Sequence, residues 1–327
     1  MNTFHGLKYL LSSKDLFRNW LSAGIKYLLI KNGLIKGDII VKCNNNIFAL
    51  NPDVYSFIVK AYNNGYFKEV SCSEDLRGRL WGAIDLIVLK DGEGFLKMPD
   101  SIMLSLESFD PLVIAETWLY DIHFLGSDLT NWFVLDIGAF IGDTALYYAK
   151  RGAFVVAVEP LPSNYEAMLR NIELNPDLKS RIVPINVAVG PKDGCVEFVC
   201  DKAIDGGASM YGNGRRKIKV RSVRLSTLIK EINARGVDLS RYEFKALKMD
   251  CKGCEYDVIH EPDALKLFDI IKTEYSGYLR NKTYHELKKA LEDLGFKCRV
   301  YAHNEFALRI GLDKHGMLTC NKDVKSP

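Results

Sequence analysis

The spacing of apolar positions changes character partway along the chain. From Ser13 to Lys31, Leu16, Phe17, Trp20, Leu21, Tyr27 and Leu28 recur three and four apart, which predicts a helix. "DIIVKCNNNIFAL" alternates around Asn44 to Asn46 and predicts a hairpin. A helix is expected from Pro52 to about Asn63, and a second hairpin turns at Asp91-Gly92. "DPLVIAETWLYDIHFL" predicts a helix starting near Pro111. This first part reads as an α+β mixture without legible chemistry.

After about Asn131 short apolar runs alternate with helical stretches. The runs are "WFVLDIG", "AFVVAVEP", "RIVPINVAVG", "FKALKMD" and "DIIKTEYS". This rhythm predicts a parallel sheet covered by helices on both faces. The final "GFKCRVYAHNEFALRIGL" holds two strand-like runs split near His303-Asn304, so an antiparallel last strand is expected. Residues 195–225 read as an inserted β pair with a glycine-rich, mobile loop, "AIDGGASMYGNGRRK", at its tip. The boundaries that follow are 1–125 for an accessory or substrate domain, 126–315 for the α/β domain and 316–327 for a polar tail.

Composition narrows the class. A net charge of +3 gives no strong nucleic-acid signal. No run reaches the length of a spanning helix, and the first twenty residues lack a signal-peptide layout, so a cytoplasmic protein is expected. Of the eight cysteines most lie in apolar runs and read as small buried hydrophobes. Cys251 and Cys254 form a C-x-x-C that permits a disulfide without demanding one. No second pair or histidine lies at ligand spacing, so no metal site is assigned.

The candidate chemistry sits where strands end, since open parallel sheets bind ligands beyond their carboxyl ends. "VLDIGAFIGDT" ends its strand on Asp136, Gly138 and Gly142. Glycine lets backbone approach a ligand closely. The helix starting at Gly142, Asp143 and Thr144 offers amides to a carboxylate, while Asp136 offers an anion to an ammonium. A ligand carrying both charges at one end, the amino-acid tail of S-adenosylmethionine, suits that pair. The dinucleotide fingerprint G-x-G-x-x-G is absent, and Asp136 and Asp143 would repel a pyrophosphate. Glu159 closes the next strand, 21 residues beyond Gly138, where an acid accepts ribose hydroxyls. Ser163 and Glu166 are spaced as a capping box for the helix that follows. Val187 and Ala188 fall beside the expected adenine. Asp250, Glu255 and Glu274 end or follow later strands, and together they would supply a general base, orient a hydroxyl or hold a divalent cation.

These stretches, with "VPINVAVG", "VRSVRLSTLI" and "LKMDCKGCEYDVI", resemble the FkbM family of S-adenosylmethionine-dependent methyltransferases. The resemblance covers residues 133 to about 276. It implies a class I, Rossmann-like methyltransferase fold: a mostly parallel seven-stranded sheet with an antiparallel last strand, here preceded by an α+β N-terminal domain. It implies O-methylation, most often of a hydroxyl on a sugar, glycan or small natural product. Cofactor positions carry over onto Asp136, Gly138, Gly142, Asp143, Thr144 and Glu159, with Ala139 and Pro160 adjoining them. The family's D-x-E-G-x-E maps onto Asp250 to Glu255, with Lys252 in place of glutamate, and Phe140 replaces a frequent asparagine. The rival expectations are a binding module without transfer, or a transferase acting on nucleic acid or protein. No Pro-Pro-Tyr follows the fourth strand of the α/β part, which disfavours amino-group methylation. The expected partners are S-adenosylmethionine and a small-molecule or glycan acceptor, with a second copy of the chain as a further candidate.

Overall fold

The computed structural model describes residues 13–67, 70–108 and 110–322. The chain divides into two compact units, Met1–Asp110 and Pro111–Pro327. Among the described residues no helix is long and apolar enough to cross a membrane.

In the first unit the strands are β1 (Ile39–Cys43), β2 (Asn46–Leu50), β3 (Val70–Cys72), β4 (Leu76–Leu80), β5 (Ile84–Val88), β6 (Gly94–Lys97) and β7 (Met103–Ser105). β1 and β2 form the expected hairpin, and β3 to β7 form an antiparallel meander. Asn51 caps the helix Pro52–Asn63 by accepting from Val54 N at 2.8 Å. The first predicted helix is shorter than its pattern, covering only Trp20–Lys31. Arg18 N donates to Lys42 O, and the Asn19 amide group bonds both Ile40 O and Lys42 N. Those bonds hold residues 18–19 alongside β1 and delay the helix. Residues 1–12, which carry most of the segment read for a signal peptide, lie outside the described residues.

The second unit contains β8 (Trp132–Ile137), β9 (Phe154–Val158), β10 (Ile182–Ile185), β11 (Ala188–Val189), β12 (Gly194–Cys200), β13 (Arg216–Val223), β14 (Phe244–Met249), β15 (Ile270–Ser276), β16 (Lys297–Tyr301) and β17 (His315–Asn321). Seven of them form one sheet in the order β10-β9-β8-β14-β15-β17-β16. β17 alone runs antiparallel to its neighbours, β15 and β16. This is the class I methyltransferase fold. Every residue of β8 is buried, as a central strand covered on both faces requires. From β8 the chain steps outward to β9 and β10, then returns to lay β14 against β8. In open α/β sheets such a reversal is where ligands bind, here beyond Ile137 and Met249. β12 and β13 are the expected inserted pair, and β11 joins them in a separate small sheet.

The structure revises several boundaries. "EFALRI" is a helix, Glu305–Ile310, capped by Asn304 accepting from Ala307 N at 2.9 Å, and the antiparallel strand follows it. Residues 316–321, read from their polarity as a tail, belong to β17; Met317, Leu318 and Cys320 are buried. Residues 111–125, placed with the first domain by their mixed pattern, lie in the second unit. Thr117 Oγ1 donates to Asp143, Tyr148 Oη donates to His123 O, and Lys272 Nζ donates to Phe124 O. The cysteines are not plain hydrophobes. Disulfides join Cys43 to Cys72, Cys251 to Cys254 and Cys298 to Cys320, leaving Cys195 and Cys200 as thiols.

Candidate functional site

At the turn after β8, Gly138 has φ +78°, and a Cβ there would lie 2.1 Å from Asp250 O. The ends of β8 and β14 therefore touch through bare backbone. The turn largely satisfies itself: the Gly138 and Ala139 amides donate to Val158 O, and Gly142 N donates to Ala139 O. Gly142, at φ +82°, starts the helix Asp143–Lys150. A Cβ there would meet Met168 Cγ at 2.8 Å.

Asp136 does not face outward as expected. It is fully buried; its Oδ1 lies 2.9 Å from Lys248 Nζ, and its Oδ2 accepts from Thr144 Oγ1 at 2.6 Å. Lys248 stands directly opposite Asp136 in the β8–β14 register and also donates to Gly138 O. Burial alone would lower the Lys248 pKa, but Asp136, Asp250 and Asp143 outweigh it and raise it. Asp143 is likewise turned inward, toward Thr117, and burial pushes its pKa up to about 7. Asp136, Asp143 and Thr144 thus brace the turn.

Glu159 directly follows β9 and is 5% exposed. Its carboxylate accepts from Phe140 N, Leu161 N and Asn164 Nδ2 at 3.0–3.1 Å. A carboxylate has about four acceptor sites, so room for one further donor remains. Burial pushes its pKa up to about 7, against the pull of those bonds. Asn186 Nδ2 donates to Glu159 O and Pro160 O, fixing this strand end. Val187 and Ala188 are buried in apolar clusters, so only their backbone is available to a ligand. Ala139 is also fully buried.

The glycine-rich segment expected to be a mobile loop is pinned over this region. Ser163 Oγ donates to Ala203 O, so no capping box forms at the helix Pro162–Glu173. Asn164 exchanges two hydrogen bonds with the Asp205 backbone, both 3.0 Å. Ser209 Oγ donates to Lys252 O, and Tyr211 Oη donates to Asp257. Arg280 lies 3.9 Å from the Tyr211 ring and pairs with Asp257 at 3.1 Å. Phe140, at φ +50°, packs with Ile204 and lies against Gly206.

The three carboxylates beyond β14 and β15 part company. Glu255 is fully buried and accepts from Gly253 N at 2.8 Å and Ser276 N at 2.6 Å, so it fastens the segment after β14 to the end of β15. Glu274 is 5% exposed at its side chain, whereas Asp250 is 24% exposed. Lys252 Nζ bridges Asp250 Oδ1 and Glu274 Oε1, each at 2.6 Å. Asp250 Oδ2 has no hydrogen bond among the described residues and is the carboxylate oxygen left for a ligand. Burial would raise the Glu274 pKa, but Lys252 and His303 outweigh it and hold it well below the usual carboxylate range.

Sequence reasoning missed the groups around Glu274. His303 Nε2 lies 3.3 Å and His315 Nε2 3.7 Å from its oxygens. Glu116 lies 3.8 Å from His303 and accepts from Asn304 Nδ2 at 3.1 Å. Burial, then the Glu274 charge, pushes the Glu116 pKa up to about 7. One signal was available for Lys248: a lysine inside the apolar run "FKALKM" needs a buried partner.

Comparison with known proteins adds the family. Residues 136–298 match the model of the methyltransferase FkbM domain. A search of curated proteins returns no match. Among solved structures, a methyltransferase FkbM from Methylobacillus flagellatus KT is 13% identical, over 61% of this chain and 45% of its own, at a TM-score of 0.39. The chain thus spans less than half the length of that protein. A precorrin-6y C5,15-methyltransferase from Geobacter metallireducens GS-15 is 12% identical over 62% and 85%, at 0.35. An O-methyltransferase from Bacillus cereus, in complex with SAH, is 12% identical over 65% and 82%, at 0.34. The family match falls on the turn, the Glu159 strand end and the Asp250 segment just described, so over residues 136–298 the chain is similar to the methyltransferase FkbM domain.

Proposed function

We propose that the second unit transfers a methyl group from S-adenosylmethionine to a hydroxyl of a sugar, glycan or small natural product. The observation that carries this reading is the strand-order reversal between β8 and β14, beside which Glu159 keeps one acceptor site and Asp250 keeps Oδ2. Those two residues fit the cofactor's ribose and its charged sulfonium end. Asp136 does not fit the role of ammonium partner, because Lys248 already holds its charge; it shapes the turn instead. The cofactor, when bound, supplies a methyl group already activated by its sulfonium, so alignment is the protein's main task. Asp250 Oδ2 accepts the proton of the attacking hydroxyl. Lys252 fixes the orientation of Asp250 through Oδ1. The segment 203–211 covers the acceptor side and excludes water.

The bridge made by Lys252 favours one second reading, a module that binds the cofactor without transferring its methyl. Calorimetry with S-adenosylmethionine and with NAD is expected to give heat for the former alone. Labelled donor offered with glycans, small hydroxylated compounds and RNA then separates the two readings. The transferase reading requires label in a hydroxyl acceptor. It also requires that Asp250→Asn bind the donor normally while turnover falls by about 10²-fold or more. Full turnover by Asp250→Asn would remove the assigned base, and binding without label in any acceptor would leave the module.

A further inference from the structure

We propose that Glu274, His303 and His315 form a binding site for one divalent first-row transition-metal ion. The ligand atoms of these three residues all lie within 4.8 Å of one another. Ligands about 2.1 Å from a tetrahedral zinc ion stand roughly 3.4 Å apart. His303 Nε2 stands 3.3 Å from Glu274 Oε2 and His315 Nε2 3.7 Å from Oε1, so each imidazole is near that spacing from one oxygen of the carboxylate. Two imidazoles and one carboxylate are a donor set suited to zinc, iron or cobalt rather than magnesium.

The three side chains come from separate places that the sheet brings together. Glu274 lies near the carboxyl end of β15, His303 just after β16, and His315 at the start of the antiparallel β17. The imidazole of His315 bonds Tyr275 O through Nδ1 at 3.0 Å. That bond places a proton on Nδ1 and aims the Nε2 lone pair at Glu274, the orientation a metal ligand needs. Asn304 Nδ2 lies 2.8 Å from His303 Nε2, and its Oδ1 is fixed by the cap on Ala307 N. The amide therefore donates to a lone pair on Nε2 of His303, and an ion bound there would displace Asn304 from it. The His303 side chain is fully buried, and its Nδ1 has no partner. A buried imidazole so placed is poorly satisfied by protein contacts alone.

Charge points the same way. Asp250 and Glu274 share one ammonium, that of Lys252, and His303 lies between Glu274 and Glu116. A divalent cation would balance that excess. Lys252 occupies the side of Glu274 that an ion would share, so ammonium and metal compete for this carboxylate. The His315 ring is held by Tyr278 and Phe306 at centroid distances of 5.7 and 5.1 Å, which limits its freedom to turn away.

Metal binding here does not depend on methyl transfer, and its test does not read transfer. The full chain, disulfides intact and stripped by chelator, is titrated with Co²⁺. One equivalent is expected to bring visible d–d absorption without a sulfur-to-cobalt charge-transfer band, which would mark Cys195 instead. His303→Ala and His315→Ala should each weaken Co²⁺ binding at least about a hundredfold, and Lys252→Met should tighten it about tenfold. Histidine ¹⁵N spectra of the native protein with Zn²⁺ read the same site without any substitution that might unfold it. Two of the six imidazoles should shift at their Nε2. The proposal is overturned if native protein shows neither absorption nor shifted imidazoles at one equivalent. It is equally overturned if folded His303 and His315 variants bind Co²⁺ as the native chain does.

Discussion

The turn after β8 rests on one buried ion pair, and the cost of breaking it can be stated. Asp136 and Lys248 are both excluded from water and face each other across two parallel strands. Removing one partner strands the other charge, which costs about 3–5 kcal/mol in such settings. Asp136→Ala and Lys248→Met should each lower the melting temperature sharply, while the double variant should lose less than the sum. A double-mutant cycle read by thermal denaturation checks this; simple additivity would show the two side chains to be independent. The strand-end residues themselves were legible, because alternation of apolar runs fixes where Asp136, Glu159 and Asp250 stand. What was not legible was their engagement. Lys248 becomes the neighbour of Asp136 only once β14 is known to lie beside β8.

At the scale of elements, the segment between β12 and β13 was expected to move and is instead tied down. Asn164 is its main anchor, bonding Glu159 and both sides of the Asp205 backbone. Asn164→Ala should free residues 201–208 at a cost of about 1–3 kcal/mol. Limited proteolysis should then cut this segment faster, and S-adenosylmethionine should associate faster in stopped-flow measurements. Unchanged cutting would mean that the Ser209 and Tyr211 contacts suffice. Glycine content suggested mobility; composition does not show which hydrogen bonds a loop finds elsewhere. The histidine cluster was hidden for a related reason. Its members gather only because the helix Glu305–Ile310 returns the chain to place β17 beside β15.

Over the whole molecule, burial of acids sets a pH dependence. Glu116, Asp143, Glu159 and Glu255 are each pushed up to about 7, chiefly by burial. Between the ordinary carboxylate range and 7 the folded state therefore binds more protons than the unfolded one. Their contribution is fully present below that ordinary range and is lost as pH rises through about 7. Glu274, held low, acts oppositely, and its contribution is lost only in stronger acid. The melting temperature should be higher near pH 5.5 than near pH 8, a trend that differential scanning calorimetry reads directly. Disulfides add a second dependence. Cys43–Cys72 and Cys298–Cys320 close loops long enough to be worth about 3–4 kcal/mol each, and Cys251–Cys254 less. Reductant should lower the melting temperature accordingly. Disulfides persist in oxidising compartments and in intracellular proteins of hyperthermophiles.

The position of β17 bears on synthesis. It follows β16 in chain order, yet it fills the gap between β15 and β16. A ribosome emitting this chain releases the strand that joins those two only after both have emerged. Until then β15 exposes unpaired amides and carbonyls along the edge that carries Glu274, a template for pairing with a neighbouring nascent chain.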